Sequence, residues 1–393
     1  MENDQEWLRK AAVERAEAGE NHRAVWTSLN QSRAWFYKWL KRYRLGDSDW
    51  FKDYPPGTDN PANRTPEEIE ALVQMARHEL YNKEEFCGAQ AIIWRLEDWE
   101  VRPLPSLSTI GRILRRHDLT RKRTGRYRPK GVPYPAPKAA RPNDVHQADF
   151  VGPRFMRADG GRAQRFYSLN SVDLATGRCA IQPLTRGKNR TNDAFWAVWR
   201  RLGVPRYLQV DNEMTFYGSP LVPHTAGPLI RLCLPLGIEP VFAPMREPWR
   251  NGVAEKFQDY WNQRLWQAEE IGTAEELRSA SRRLEERHNK HWRYSKLGGK
   301  TPLAMLEAMN AELRFPTTPL RPKNFGSVRP ANGRYHLIRF IRGDGKLDVF
   351  SEKFSVDPDL CYEYVWATVD VADQRLYLMH DGEQVGDWKY EVK

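Results

Sequence analysis

Apolar residues recur at three- and four-residue intervals over the first 120 positions, the spacing of helices; farther on they alternate at strand spacing. Trp7 to Ala18 predicts a helix broken at Gly19, and His22 to Leu29 a short second one. Gln31 to Tyr43, QSRAWFYKWLKRY, predicts a third, with Ala34, Tyr37, Trp39 and Leu40 at helical spacing and Arg33, Lys38, Lys41 and Arg42 between them. Helix, turn, short helix, turn, basic helix is the plan of a helix-turn-helix, although a small bundle with a basic surface reads the same way. The turn-rich YPPGTDNPANR, Tyr54 to Arg64, then separates a second helical set. Thr65 opens a helix with Pro66 at its first position and Glu67 and Glu68 in its first turn. Helical patterns run from Glu67 to Leu80 and from Gly88 to Trp99, and PSLSTIGRILRRHDL follows, where Ser106 or Ser108 caps a basic helix ending near His117. This predicts a second helix-turn-helix.

The middle of the chain changes period. HQADFVG is a short apolar strand broken by Pro153, and Phe166 to Leu174 and Cys179 to Pro183 alternate as paired strands around the turn Ala175 to Gly177. A helix is expected over Thr191 to Leu202, a strand over Arg206 to Val210, a helix over His224 to Leu236 and a strand over Glu239 to Ala243. A long helix from near Asn251 to Glu270 and another over Ala274 to Trp292 complete the region. Three strands, helix, strand, helix, strand, then helices is the order of an RNase H-like α/β fold. After a second linker, LRPKNFGSVRP, the tail has short β-type runs, HLIRFI, KLDVF, YVWATVDV, RLYLMH and QVGDWKY, split by turn dipeptides such as Gly343-Asp344 and Asp381-Gly382. A small β-barrel is the expectation there. The expected organisation is multidomain: all-α helix-turn-helix units at 1–50 and 65–120, a basic linker at 121–142, an α/β core at 143–300 and the barrel at 325–393.

Charge sharpens this picture. Of a net +11, the stretch from Arg112 to Arg141 supplies +10, with eleven Lys or Arg against one acid, Asp118. Arg112, Arg115 and Arg116 lie on the capped helix; Arg121, Lys122, Arg126, Arg128 and Lys130, around Thr124, lie in a Pro-rich tether too polar to bury a core. A concentrated basic segment with interleaved aromatics points to a polyanion, most simply nucleic acid, against the plainer reading of a solvated linker. Hydrophobic residues make up 40% of the chain, enough for real cores, but no apolar run approaches the roughly 18 residues of a membrane span. The charged start, MENDQEWLRKAA, has no apolar signal core, so export is not expected. Four scattered cysteines, Cys87, Cys179, Cys233 and Cys361, form no CxxC pair, which suggests neither a zinc knuckle nor a disulfide framework and fits a reducing, cytoplasmic setting.

Three carboxylates stand out. Asp149 sits inside the first apolar run, Asp211 ends the fourth strand in RYLQVDN, and Glu255 opens the long helix in RNGVAEKF. Taken singly they read as a strand-end turn, an Asx-turn and a first-turn acid favouring the helix dipole. On the long helix Val253, Phe257, Trp261 and Leu265 form the expected buried stripe, which leaves Glu255 off it with Asn251 and Asp259 on its own face. If the first and fourth strands are neighbours, the two aspartates converge and a helix N-terminus brings Glu255 to them. Three carboxylates so placed repel one another, and oxygen-only ligands select Mg²⁺ or Mn²⁺ to relieve it. Lys188 and Arg190 before a helix, and Arg246, Arg250 and Lys256 around Glu255, are candidate phosphate contacts. His288 and His291, three apart on a helix, lack a third ligand nearby and read as a surface helix; His146 has no assigned role; Trp196, Trp199, Phe257 and Trp261 read as core.

In HQADF (146–150), VDNEMTFYGS (210–219) and RNGVAEKF (250–257) the chain resembles the DDE transposases and retroviral-type integrases, most closely bacterial insertion-sequence transposases with tandem N-terminal helix-turn-helix units. The resemblance covers about Asn143 to Trp292, and more loosely the helical half. It implies a catalytic and metal-binding triad of Asp149, Asp211 and Glu255 with two Mg²⁺ or Mn²⁺ ions per site, double-stranded DNA as partner, an assembly of at least two copies, and a nucleoid-associated bacterial setting. Two departures stand out: Glu213 follows the Asp-Asn pair where the family often has Gly, and the spacing to Glu255 is longer than in related integrases, whose shorter spacing lands on Glu247. Glu247 precedes Pro248 and belongs in a loop, and the NGxxE context belongs to Glu255. Two other functions remain open, a non-catalytic DNA-binding regulator derived from a transposase and a nuclease of the same fold that cuts without joining.

Overall fold

The computed structural model describes residues 4–46, 48–53, 65–120, 133–156, 163–184, 190–217, 224–245, 247–317 and 329–393. Both turn-rich linkers fall wholly or largely outside these residues, as do Arg121, Lys122, Arg126, Arg128, Lys130, Lys188 and Arg246. Two compact units emerge, Met1–Pro66 and Glu67–Lys393.

The first unit holds α1 (Asp4–Glu17), α2 (His22–Ser28) and α3 (Arg33–Arg44). Asn21 caps α2 and Ser32 caps α3 with side-chain oxygens that accept from the first free N–H groups. The buried stripe of α3 is Phe36, Trp39 and Leu40, closed against Ala12, Val13, Ala16 and Val25. Ala34 and Tyr37, expected on that stripe, are exposed: the large rings at 36 and 39 and Leu40 cover far more apolar area, so the helix turns them inward.

The second unit begins with α4 (Glu67–Asn82), α5 (Ala89–Asp98) and α6 (Leu107–Arg116), which share the core of Val73, Ala76, Leu80, Ile92, Leu96, Ile110, Ile113 and Leu114. Ser106 caps α6 through Thr109 N–H. These helices do not stand apart from the α/β region. Phe86 packs against Tyr260, Trp292 and Tyr294, and Asp98 pairs with Arg293 at 3.0 Å.

The α/β region is built on one nine-stranded sheet. Its strands are β1 (Val145–Met156), β2 (Gln164–Asp173), β3 (Cys179–Leu184), β4 (Tyr207–Val210), β5 (Glu239–Phe242), β6 (Arg334–Phe340), β9 (Tyr364–Asp370), β10 (Arg375–His380) and β11 (Glu383–Lys389), with β7 (Lys346–Val349) and β8 (Glu352–Ser355) as a separate hairpin. The order is β11-β10-β9-β6-β5-β4-β1-β2-β3, parallel from β6 through β5 and β4 to β1 and antiparallel outward on both sides. The first and fourth strands are neighbours, as expected. β1 runs through Pro153 by a register shift between Val151 and Arg154, since a bulge frees the proline from the ladder donor it lacks.

The tail makes no barrel. β6 pairs parallel to β5, and β9, β10 and β11 extend the same sheet, because an edge strand at β5 would leave a ladder open and β6 closes it.

Helices cover the two faces. α7 (Thr191–Leu202), α8 (Met214–Tyr217) and α9 (Pro228–Cys233) lie in the larger core with Ala148, Phe150, Leu208 and Val210, and Trp196 and Trp199 are buried there as expected. On the other face α10 (Gly252–Trp261) and α11 (Ala274–Lys290) bury Phe257, Trp261, Leu277 and Leu284 against Val151, Phe166 and Ile181. The long helix expected to Glu270 ends as an α-helix at Trp261 and widens into a π turn, Asn262–Trp266; its stripe uses Ala254, with Val253 only half-buried. A short helix, α12 (Pro302–Met309), follows.

Candidate active site

Strand period and register bring the two aspartates together. β1 and β4 run parallel with Val145 opposite Tyr207, His146 opposite Leu208 and Gln147 opposite Gln209. Two residues farther along the same register, Asp211 falls level with Asp149. Ala148 and Phe150 face the larger core, so alternation turns Asp149 toward the α10 face. Asp149 is largely buried, and burial pushes its carboxyl up to about 7, helped by the negative charges of Asp211 and, more weakly, Glu213. Two hydrogen bonds pull the other way: Phe150 N–H donates to Oδ1 at 2.7 Å, and Gln258 Nε2 donates to Oδ2 at 2.5 Å. Asp211 Oδ1 accepts from Glu213 N–H at 3.2 Å, which is the Asx-turn reading, here beside a second half-buried acid.

The start of α10 is bolted to β1. Gln147 Oε1 accepts from Val253 and Ala254 N–H at 3.1 and 3.4 Å, taking up two of the helix's free donors. Asn251 Nδ2 donates to Ala148 O at 3.2 Å. Asn251, Glu255 and Gln258 fall at i, i+4 and i+7, one helical stripe, and its first and last members both touch β1 at Ala148 and Asp149. Glu255 is therefore carried on the turn between two contacts with the strand of Asp149. Its carboxylate does not complete a cluster: among the described residues no three His, Cys, Asp or Glu side chains form a group able to share one metal ion. The structure thus brings Asp149 and Asp211 together, with Glu213 near, and leaves Glu255 on the adjoining helical turn.

Glu247, the other candidate, is engaged elsewhere. Its Oε2 accepts from Arg250 Nε at 2.8 Å and its Oε1 from the Tyr364 hydroxyl at 2.5 Å.

Two cations expected on DNA, Arg42 and Arg250, are enclosed by the fold. Arg250 is stacked on Tyr134 and Tyr364 and exposes 9% of its side chain. Arg42 is buried, donates to Lys52 O at 2.7 Å and lies over Trp39. Arg116 pairs with Glu70, which also accepts from His117, but its side chain is exposed. A sequence shows charge but not which face it occupies, and both buried arginines stack on aromatics that cover their stems. Arg33, Lys38, Lys41, Arg112, Arg115, Arg190 and Lys256 are exposed.

His288 is buried, not on a surface: Nε2 donates to Gly177 O at 2.8 Å, Nδ1 takes the Tyr294 hydroxyl at 2.9 Å, and burial lowers its pKa to about 4. His146 is likewise buried, with burial holding it near 3, and its Nε2 bonds Asn143.

Four supporting residues escaped the sequence reading. Gln147 and Gln258 carry a signal in hindsight, each being an uncharged polar residue set at strand or helix spacing from a carboxylate. Asn170, opposite Asp149 on β2, is fully buried, and its Nδ2 has no hydrogen-bond partner among the described residues. Arg339 on β6 is buried, which lowers its pKa to about 10; it donates to Asn212 Oδ1 at 3.0 Å, while Asn212 donates to Ala243 O. A tail strand thereby fixes the residue beside Asp211.

No family model matches the chain. Among solved structures it is similar to the catalytic core domain of HTLV-2 integrase in complex with magnesium, at 17% identity and a TM-score of 0.31 over 43% of this chain and 99% of that one. It is also similar to a chain of the simian T-cell lymphotropic virus intasome in complex with PP2A regulatory subunit B56 gamma, at 12% and 0.37 over 82% and 97%. The BIV integrase catalytic core matches at 18% and 0.31 over 42% and 95%. Identities and TM-scores this low tie the chain to none of these proteins.

Proposed function

We propose that the chain is a DNA transposase of the DDE type, which binds the terminal inverted repeats of a mobile element, cleaves a strand at each end and joins it to target DNA. The observation that carries this reading is the pair Asp149 and Asp211, one acid inside β1 and the other just past the end of neighbouring β4, with Asp149 pushed up to about 7 by burial and partly by Asp211. A fold keeps such repulsion only where something relieves it. The donor set suits a hard divalent cation: carboxylate oxygens with no sulfur or imidazole, and, opposite Asp149, a buried amide donor on Asn170 that has no partner among the described residues.

In this reading Asp149 and Asp211 hold Mg²⁺ or Mn²⁺, with Glu255 added from the first turn of α10. Two such ions supply charge stabilisation for the entering and leaving oxygens of a phosphodiester. Gln147 and Asn251 hold α10 against β1, and Gln258 keeps Asp149 oriented. Exposed Arg33, Lys38 and Lys41 on α3, and Arg112 and Arg115 on α6, contact the duplex, and Arg190 and Lys256 contact phosphates nearer the acids. Joining two ends requires at least two copies.

One observation favours the second reading, a DNA-binding regulator without catalysis: the Glu255 carboxylate does not gather with the aspartates. Strand cleavage and transfer on end-bearing DNA, with and without Mg²⁺, separates the two. The transposase predicts Mg²⁺-dependent products that fall at least about a thousandfold in Asp149→Ala, Asp211→Ala and Glu255→Ala while end binding persists. Sequence-specific binding with no breakage by the wild type supports the regulator, and cutting without joining supports a nuclease.

A further inference from the structure

The turn that leads into α10 is gripped by parts of the chain far apart in sequence. Arg250 lies 4.2 Å from the ring centre of Tyr134 and 4.9 Å from that of Tyr364. Its Nε donates to Glu247, and Glu247 accepts in turn from the Tyr364 hydroxyl, so a cation, an anion and a phenol form a linked cluster at the start of β9. The main-chain oxygen of Arg250 accepts from Tyr134 Oη at 3.3 Å and from Gln209 Nε2 at 3.1 Å. Gln209 sits two residues before Asp211 on β4, and Tyr364 opens β9 in the tail. The next residue, Asn251, is bonded to Ala148, one position before Asp149. β9, β4 and β1 thus meet at one turn, five residues ahead of Glu255.

We infer that Arg250, clamped by Tyr134, Tyr364 and Glu247, is a positioning residue that sets where Glu255 stands relative to Asp149 and Asp211. The inference rests on the reading of these acids as a metal site. A guanidinium set against two mutually inclined rings and paired with a carboxylate is held in place, which a solvated DNA-contact arginine is not. Its backbone is fixed by the same partners, so the start of α10 inherits that order. The tail strands therefore take part in shaping the site: Tyr364 anchors the helix of Glu255, just as Arg339 anchors Asn212 beside Asp211.

The test is a Mn²⁺ titration of the full chain read by thermal shift, together with end-DNA affinity, for wild type, Asp149→Asn, Arg250→Met, Arg250→Lys and Tyr364→Phe. The expected result is Mn²⁺ affinity about tenfold weaker in Arg250→Met, partly restored in Arg250→Lys, and weakened several-fold in Tyr364→Phe, the size that loss of a partner behind a metal ligand produces. DNA affinity stays within about twofold in all of them. Should Arg250→Met fail to fold, Tyr364→Phe decides, because it keeps the ring and removes only the hydroxyl. Unchanged Mn²⁺ affinity in Tyr364→Phe overturns the inference, as does a loss of DNA affinity at unchanged Mn²⁺ affinity, which makes Arg250 a DNA contact. If the wild type responds to Mn²⁺ no more than Asp149→Asn, the metal-site reading itself fails and the inference goes with it; a wild-type response matched by the Arg250 and Tyr364 variants sinks the inference alone.

Discussion

Asp149 carries an electrostatic cost that can be measured without any assay of function. Its carboxyl ionises near 7 in the folded chain and near 3.8 when unfolded. Below pH 3.8 the group is neutral in both states and costs nothing. As pH rises toward 7 the unfolded chain ionises first, so stability is lost, and above 7 the loss levels off at up to roughly 4 kcal/mol, less whatever solvent screens. Asp149→Asn removes that loss. In the presence of EDTA the variant is expected to melt higher than the wild type, with a gain that grows from pH 5 to pH 8; no gain at pH 8 means the pair is not under strain. The positions of Asp149 inside the first apolar run, Asp211 at a strand end and Glu255 at a helix start were legible in the sequence. Their partners were not, because Gln258 and Gln147 look like ordinary polar residues until the docking of α10 on β1 is known. Arg42 and Arg250 misled for the opposite reason: each sits in a basic stretch, yet stacks on aromatic rings inside the fold.

At the scale of elements, α3 separates the two kinds of arginine. Arg33, Lys38 and Lys41 are exposed on one helix, while Arg42 ties the helix end to Asp49 and Lys52. Replacing the three exposed cations by Gln is expected to leave the melt of the first unit in place and to reduce the salt slope of end binding by about three counter-ions. Arg42→Ala is expected to lower the melt, since it strips a buried stack and leaves carbonyls unbonded, and to weaken DNA binding only through unfolding. Equal effects on binding from both variants, with no change in melting, contradict this division. The start of α6 was readable because its cap, Ser106, announces it. Where α10 ends was not: the apolar stripe runs on through Leu265, and only the folded chain shows that the backbone widens into a π turn there.

For the molecule as a whole, the tail is the main departure from expectation. Alternating strands split by turn dipeptides fit a closed barrel and an extended sheet equally well, since each needs one apolar face. The pairing of β6 with β5 is a long-range choice that local pattern does not encode. Leu337, Val365, Ala367, Val369, Leu376 and Leu378 share one core with Leu208 and Val210 of the central strands. Deleting residues 329–393 is therefore expected to abolish cooperative folding of 67–317, read by circular dichroism and melting. A well-folded truncated chain would mean that the tail is separable after all. Removing residues 1–66, by contrast, is expected to leave the main melt intact and to lose sequence-specific end binding, because that unit has its own core.

Catalysis of the proposed kind requires Glu255 to join two aspartates that the strands already align. A crystal structure of the full chain grown with Mn²⁺, with the ion located by its anomalous signal, tests this most directly. The prediction is manganese bound between Asp149 and Asp211 with the Glu255 carboxylate turned onto it from the first turn of α10. Manganese bound elsewhere, or an ion held by the aspartates while Glu255 stays apart, contradicts it.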